Sequence, residues 1–462
     1  MKWLAIFTSE ADGAKLHTAL HSNGPDLMIA LNPPKPVLEI AERLEDAGFE
    51  AWCVGGAIRD ALLGHPDLDW DLATSATPSQ VRELFGGART IPVGIEFGTV
   101  GVLDRVGRMH EVTTFRRDVR TDGRHAEVEF GVSLDDDLAR RDFTINAIAY
   151  SPRRNELRDP FDGRGDLARK LVRAVGDAAA RMREDRLRAL RAIRFAARFG
   201  FTIEPATRAA IDASAPFLAR LSPERVKQEL DKTLEQVRCP RTALEIWRSS
   251  GAFATVVPAL SSASAEALSV VDYLAQPGPV TRPARRALRF AGLFLSLGAT
   301  GAEAVLLSLR ASRHETQAVV MLIDRWQKHG ASIAGALAAG QPIRDADVRR
   351  WVASVGRLQI GAFMRLASAV WHAEGAHGSI VPDPGATRAL YRRMRHTAFR
   401  DPIDLGALAI DGDDIRRAGI PAGPGLGKIL QALLAAVLED PARNTTDWLL
   451  QEARRLHGQQ AS

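Results

Sequence analysis

Cysteine is nearly absent: the 462 residues contain two, Cys53 and Cys239. They lie far apart and neither has a partner at metal-ligand spacing. That excludes a disulfide framework and a cysteine-based zinc site, and leaves the reduced, packed thiols expected in a cytoplasmic protein. Long apolar runs are missing as well. Residues 3–7 are apolar, but Ser9, Glu10 and Asp12 end the stretch, which makes it too short for the apolar core of a signal peptide. No stretch presents the roughly 18 apolar residues that a spanning helix needs, so no membrane partner is expected. A large excess of one charge is also lacking: 61 Lys and Arg stand against 56 Asp and Glu, a net +5. The basic residues are mostly Arg, which suits a polyanionic partner without requiring one.

What is present has the composition of a globular protein, 46% hydrophobic and 25% charged, in a chain long enough for two to four domains. Residues 1–35 read as an extension of no legible role, ending in the breaker Asn32-Pro33-Pro34-Lys35-Pro36. Val37, Ile40, Ala41 and Leu44 recur at helical spacing and predict a helix over 37–47. Short strand-like runs follow at 50–54, 68–72, 98–103 and 110–115, with weaker ones at 90–93 and 128–130. Glycine-rich turns separate them. This is an α+β domain with a mixed β-sheet and flanking helices. After Asp159-Pro160-Phe161-Asp162-Gly163 the strand signals stop. Helical periodicity then runs to the end, interrupted by Gly/Pro clusters at 275–283, 338–343, 375–386 and 419–427. The expected division is 1–35 extension, 36–166 head, 167–236 neck, 237–330 body and 331–462 tail, the last three all-α.

Asp69-Trp70-Asp71 holds two carboxylates that, in a strand, project from one face. Held that close they repel and need cations, and oxygen ligands of this kind suit Mg²⁺. Standing alone, the pair reads as solvated Asp residues near a turn, since Asp-x-Asp occurs often by chance. Upstream, Val54-Gly55-Gly56-Ala57-Ile58-Arg59-Asp60 runs from a strand through paired glycines into a helix. Backbone N–H groups in such a turn can approach phosphates, with Arg59 a cation one turn further on. Downstream, His110-Glu111-Val112-Thr113-Thr114-Phe115-Arg116 reads as a strand. Lying beside the first, it would bring Glu111 to the same ions as a third carboxylate.

These residues, with Arg140-Arg141-Asp142-Phe143-Thr144-Ile145-Asn146-Ala147, Glu184-Asp185-Arg186-Leu187-Arg188 and Ser222-Pro223-Glu224-Arg225, resemble the bacterial and eukaryotic class of CCA-adding enzymes and their poly(A) polymerase relatives. Those belong to the polymerase β-like nucleotidyltransferase superfamily. The resemblance runs in unbroken order over residues 37–235. It implies a nucleotidyltransferase head in which Asp69 and Asp71 hold two Mg²⁺ ions, with Glu111 as a further catalytic carboxylate. Gly55, Gly56 and Arg59 would cradle the triphosphate. Arg141, Asp142 and Asn146 would contact ribose and phosphates, and Arg191 and Arg194 complete the implied nucleotide-binding set. The substrates implied are CTP, ATP and the 3′ end of tRNA. Residues 117–133, including Asp122-Gly123, stand where the family has a flexible lid. No protein nucleophile is required: one ion would activate the primer's 3′-hydroxyl and the other would stabilise the leaving pyrophosphate.

Residues 181–199 predict one helix, on which Glu184, Asp185 and Arg188 share about a third of the circumference. The plain reading is a surface Glu184–Arg188 ion pair. In the family, the Asp and Arg of E-D-x-x-R read the nucleobase, and these map onto Asp185 and Arg188. A carboxylate accepts from an exocyclic amine while a guanidinium donates to ring acceptors, a combination that C and A satisfy and G and U do not. In the tail, Ile410-Asp411-Gly412-Asp413-Asp414-Ile415 and Gly423-Pro424-Gly425-Leu426-Gly427-Lys428 resemble the C-terminal region of CCA-adding enzymes. Arg392, Arg393 and Arg395 form the best basic cluster for tRNA phosphates, and Arg285, Arg286 and Arg289 a weaker one. Poly(A), CC-only and A-only addition stay open as readings of the same family. A fused HD phosphohydrolase is excluded, because no His-Asp dipeptide occurs.

Overall fold

The computed structural model describes residues 31–65, 69–121, 126–275, 283–421 and 423–461. The expected extension lies outside these residues up to position 30, as do Leu68 of the predicted 68–72 strand and Asp122-Gly123 of the lid. The chain forms two compact units, one comprising residues up to Glu229 with Ile246–Val256, the other Leu230–Glu245 with everything from Val257 onward.

In the first unit, helix α1 (Lys35–Asp46) buries Val37, Ile40, Ala41 and Leu44, the stripe the spacing predicts. Strand β1 (Ala51–Val54) leads into helix α2 (Gly56–Leu62), and strand β2 (Asp71–Thr74) into helix α3 (Pro78–Phe85). Strands β3 (Thr90–Gly94), β4 (Thr99–Leu103), β5 (Met109–Thr114), β6 (Arg116–Thr121) and β7 (Ala126–Phe130) precede helix α4 (Leu134–Ala139). Strands β8 (Ala149–Ser151) and β9 (Glu156–Arg158) close the sheet, whose order is β3-β4-β5-β2-β1-β8-β9. Only β2 and β5 pair in parallel; the other neighbours are antiparallel. The mixed sheet expected from the sequence is therefore present. Strands β6 and β7 form a separate hairpin.

Asp159-Pro160-Phe161-Asp162-Gly163 makes a tight turn. The Asp159 carboxylate accepts from the N–H groups of Gly163 and Arg164 at 2.7 and 2.9 Å. A Cβ on Gly163 would sit 2.2 Å from the Thr144 carbonyl oxygen, so only glycine fits there. Beyond it come helix α5 (Gly163–Ala168), strand β10 (Leu171–Val172), helix α6 (Ala178–Glu184), helix α7 (Leu187–Phe199) and strand β11 (Thr202–Ile203). Strands β10 and β11 pair in parallel, which corrects the expectation that strand signals end at residue 163. At two residues each they are too short to leave an alternating pattern.

The second unit is helical throughout its described residues. One core gathers Trp351, Phe363, Trp371 and Met394, and a smaller one Ile410, Ile415, Ile429, Leu433 and Leu449. Asp411 caps the helix Gly412–Arg417 by accepting from the N–H groups of Asp413 and Asp414. The segment Arg285–Ser308 is long and apolar enough for a membrane span by length and composition, against the expectation that none exists. It is not one α-helix: helices Pro283–Phe294 and Gly298–Ser308 meet at a 3₁₀ turn, Leu295–Leu297. Phe290, Leu293, Phe294, Ala302 and Leu306 on it are buried.

Arg289 departs from its reading as a surface cation. It is 1% exposed and donates to the carbonyls of Leu234, Val237, Arg238 and Leu274 at 2.6 to 3.2 Å. Burial pushes its guanidinium down to about 10, so it stays charged at neutral pH. Three of those carbonyls end the helix Pro223–Gln236 or directly follow it, so Arg289 satisfies a helix terminus from inside the core. Arg289→Met leaves these carbonyls without a donor and is expected to cost about 3–5 kcal/mol in urea unfolding. Arg289→Lys should recover little of that, because an ammonium cannot reproduce the planar fork.

Candidate active site

The sheet sets the site at one end of its central strands. Val54, the last residue of β1, pairs with Asp71, the first of β2. The chain then turns at Gly55, whose φ of +77° lies in the region glycine favours, and α2 begins. On the other side β5 lies parallel to β2 with Leu72 opposite Val112, so Asp71 and Glu111 hold matching preceding positions. The expected strand beginning at residue 68 is observed only from Asp71. Asp69, just outside the strand, is exposed, while Trp70 between the carboxylates is buried.

Burial, then Glu111, then Asp69 push the Asp71 carboxyl up to about 7, against the opposing pull of Arg141. Among the described residues no three His, Cys, Asp or Glu side chains stand close enough for a ready-made metal cage. The donor set nevertheless fits a hard divalent cation. It offers carboxylate oxygens alone, and the ionisation of Asp71 is opposed by burial and by like charges that a cation would offset. Asp69, Asp71 and Glu111 are the residues able to hold one.

Two guanidinium groups cover the glycine turn. A Cβ on Gly55 would lie 3.0 Å from Arg141 Nη1, and one on Gly56 3.3 Å from Arg59 Nη2. Arg59 is itself buried. Its Nε donates to Asp60 at 2.7 Å, Nη1 donates to the Asn146 carboxamide oxygen, and its plane lies 4.9 and 4.8 Å from the rings of Phe195 and Phe199. Arg141 Nη2 donates to Asp137 at 3.1 Å, while its Nε is a buried donor with no acceptor. It is the Nη1 end of Arg141 that stands beside the glycine turn, where a guanidinium suits a phosphate oxygen.

Asp142 ties these groups to the next helix. Burial alone would raise its carboxyl, but Arg191, Asn146 and the Phe143 N–H outweigh burial and hold it at about 2. Arg191 Nε donates to it at 2.8 Å and Asn146 Nδ2 at 2.8 Å. Asp142 raises the Arg191 guanidinium in turn. Arg59, Asn146, Asp142 and Arg191 thus form one chain of charge-assisted hydrogen bonds.

The expected single helix over 181–199 is two, α6 and α7, broken at Asp185 and Arg186. Asp185 is extended, at φ −145° and ψ 107°. Its Oδ1 accepts from Leu187 N at 3.0 Å and Oδ2 from Arg225 at 2.8 Å. A carboxylate satisfied by the next helix's N–H competes with helix continuation, which local periodicity cannot reveal. Across the break Glu184 still reaches Arg188 Nη1 at 2.7 Å. Arg188 also donates from Nη1 to the Arg181 carbonyl at 3.2 Å and from Nη2 to the Arg140 carbonyl at 3.0 Å. Three of its five N–H groups are engaged, leaving Nε–H and one Nη2–H.

Arg194 does not join this cluster as the resemblance implies. It is 3% exposed and its Nε donates to the buried Glu229 at 2.7 Å. In the tail, Arg392 and Arg395 line one open cleft with His396, Phe399 and Arg400. Arg393 is drawn away, donating to Asp345 at 2.6 Å and to the Ile343 carbonyl. Sequence reasoning missed Asp137, Glu229 and the role of Arg225, all of which hold other site residues in place. Asp137 carried a signal, standing three and four residues before two arginines on a helix.

The family model described as the Poly A polymerase head domain matches residues 51–173. A second, described as a probable RNA and SrmB-binding site of polymerase A, matches residues 200–264. A CCA-adding enzyme of Limosilactobacillus fermentum is 35% identical over 430 residues, covering 92% of this chain and 96% of its own. One from Geobacillus stearothermophilus is 34% identical over 433 residues, covering 92% and 98%. The crystal structure of the Bacillus stearothermophilus CCA-adding enzyme in complex with CTP superposes with a TM-score of 0.71 at 32% identity, covering 93% of this chain and all of that one. Fold and site together define a nucleotidyltransferase with a mixed-sheet head and helical domains behind it. The chain belongs to the family of CCA-adding enzymes.

Asp142 also sets an acid limit on stability. Its carboxyl lies below the ordinary value when folded, so its contribution is complete above about pH 4 and is lost as pH falls toward 2. The contribution is on the order of 2 kcal/mol. In urea titrations between pH 5 and pH 2.5, Asp142→Asn should be less stable than the parent at pH 5, and its stability should fall less over that range.

Proposed function

We propose that this chain adds C, C and A to the 3′ end of tRNA, taking nucleotides from CTP and ATP without a template and releasing pyrophosphate. The reading rests above all on the carboxylates Asp71 and Glu111 meeting the Gly55-Gly56 turn and Arg141 at one end of the sheet. It is supported by the CCA-adding activity named for its relatives and by the CTP held in one of their structures. Asp69, Asp71 and Glu111 would hold two Mg²⁺ ions, which when bound activate the primer hydroxyl and neutralise the leaving pyrophosphate. Arg141, whose Nη1 stands beside Gly55, and the N-terminus of α2 would grip the triphosphate. Arg59 shapes the turn from its buried place beneath it. Asn146 and Asp142 would face the ribose while keeping Arg59 and Arg191 in position.

Base choice falls to the neck, 167–236. Asp185, held as an acceptor by Leu187 N–H and Arg225, would take the exocyclic amine of C or A. Arg188 would offer its two remaining N–H groups to the ring acceptors. U and G present a carbonyl where Asp185 needs a donor, and two acceptors facing one another are rejected. The head, 36–166, would carry the chemistry. The body, 237–330, and tail, 331–462, would hold the tRNA, with Arg392 and Arg395 on its phosphates.

Asp69→Ala and Asp71→Ala should abolish addition while leaving tRNA binding nearly unchanged in filter binding; activity within about tenfold of the parent would remove the metal assignment. A poly(A) polymerase shares this head, and the substrates separate the two. With tRNAs ending before CCA, after C and after CC, the expected products are CTP-dependent addition followed by a single A. Unstructured RNA should scarcely be extended. Long A tails on it would overturn the reading in favour of a poly(A) polymerase, and two Cs with no A in favour of CC addition.

A further inference from the structure

Arg141 beside the glycine turn and Arg188 on the neck lie 47 residues apart in sequence, yet both depend on the C-terminal end of α4. Asp137, in the last turn of that short helix, is 1% exposed. Its Oδ1 accepts from Arg140 Nε at 2.9 Å and its Oδ2 from Arg141 Nη2 at 3.1 Å. The carboxylate is thus shared between consecutive arginines and fixes both side chains. The backbone of the same dipeptide is committed in the opposite direction. Arg140's carbonyl accepts from Arg188 Nη2 at 3.0 Å, and the carbonyl before it, Ala139's, accepts from Arg181 Nη1 at 3.1 Å. Two guanidinium groups from α6 and α7 therefore cap the end of α4, an arrangement its terminal carbonyls and dipole favour.

We propose that Asp137 is a positioning residue that couples the triphosphate grip to base reading, by clamping the Arg140–Arg141 dipeptide between the glycine turn and Arg188. It touches no substrate. Through Arg141 it sets where a cation meets the triphosphate. Through Arg140 it fixes the carbonyl that, with Glu184 and the Arg181 carbonyl, holds Arg188 at three points and leaves two N–H groups aimed. Residue 140 contributes through its backbone, which explains why it sits beside the site while its side chain turns back to Asp137.

The inference rests on the reading of Arg188 as a base reader, and the test separates the two. Asp137→Asn keeps the size of the side chain but loses the charge that holds two guanidinium groups. It should raise KM for CTP and ATP alike by about tenfold, with a smaller fall in kcat, and raise UTP and GTP misincorporation by a similar factor. A merely structural role would lower the melting temperature and the active fraction but leave KM and base choice at parental values. That result in folded Asp137→Asn protein overturns the proposal. Arg140→Met serves where Asp137→Asn fails to fold: the carbonyl stays but loses its tether, so base choice should loosen by several-fold with less effect on KM. Parental base choice in Arg140→Met overturns the coupling. Arg188→Ala is the control. If it remains fully selective for C and A, the base-reading assignment fails and the coupling with it. If it loses selectivity while both other variants keep theirs, only the coupling fails.

Discussion

Guanidinium groups repel one another, and a site that gathers them around a triphosphate must first hold them apart without one. In this protein carboxylates supply that restraint. Asp60 takes Arg59 and Arg198, Asp137 takes Arg140 and Arg141, Asp142 takes Arg191, Glu184 takes Arg188, and Glu229 takes Arg194. Desolvating such pairs largely cancels their attraction, so they add little net stability compared with well-packed apolar residues. Their effect is positional. Each occupies part of a planar fork and so decides which N–H groups are left over, as with the two remaining donors of Arg188.

The same economy explains the glycines. Gly55 and Gly56 have guanidinium nitrogens at 3.0 and 3.3 Å from where a Cβ would stand. A side chain there would push Arg141 or Arg59 off its carboxylate, and through Asn146 would disturb Asp142 and Arg191. The turn is thus part of the electrostatic arrangement as well as the proposed seat of the phosphates. It lies beside Asp71, where the sheet imposes the opposite problem: carboxylates crowded together, with Arg141 pulling the Asp71 carboxyl down against them.

Much of this was legible in the sequence because the residues proposed to meet substrate come in short runs. Gly55-Gly56, Asp69-Trp70-Asp71, Arg141-Asp142 and Asp185–Arg188 are each local, and strand periodicity placed most of the sheet. The placement of Glu111 required only that β5 lie beside β2, which it does. What stayed hidden depends on distant partners. At the break Asp185 accepts from Leu187 N–H and from Arg225, 40 residues on, while the local pattern of 181–199 satisfies an unbroken helix. Arg194 shares that helix with Arg191 and the same residue type, yet the buried Glu229 turns it into a core ion pair. Arg289 and Arg393 read as surface cations until the carbonyls and the acid they serve are brought beside them.

On the proposed reading of Asp185 and Arg188, the helix break bears directly on base choice. In a continuous helix Asp185 N–H and C=O would join the ladder, and its carboxylate would be a freely rotating surface group. Here the Asp185 N–H closes α6 on the Arg181 carbonyl and its C=O accepts from Arg188 N–H, but its backbone is extended and both carboxylate oxygens are fixed, one by the first turn of α7 and one by Arg225. A carboxylate fixed by two donors keeps its remaining lone pairs as acceptors in set directions, which is what recognition of an amine requires. Arg188, three residues on, is fixed from the other side by Glu184 before the break and by the Arg140 carbonyl of the head. The acceptor and the donors proposed to read one edge of a base are thereby anchored to different elements. On that reading discrimination depends on α4, α6, α7 and the helix bearing Arg225 keeping their mutual positions, and on no single contact with the nucleotide.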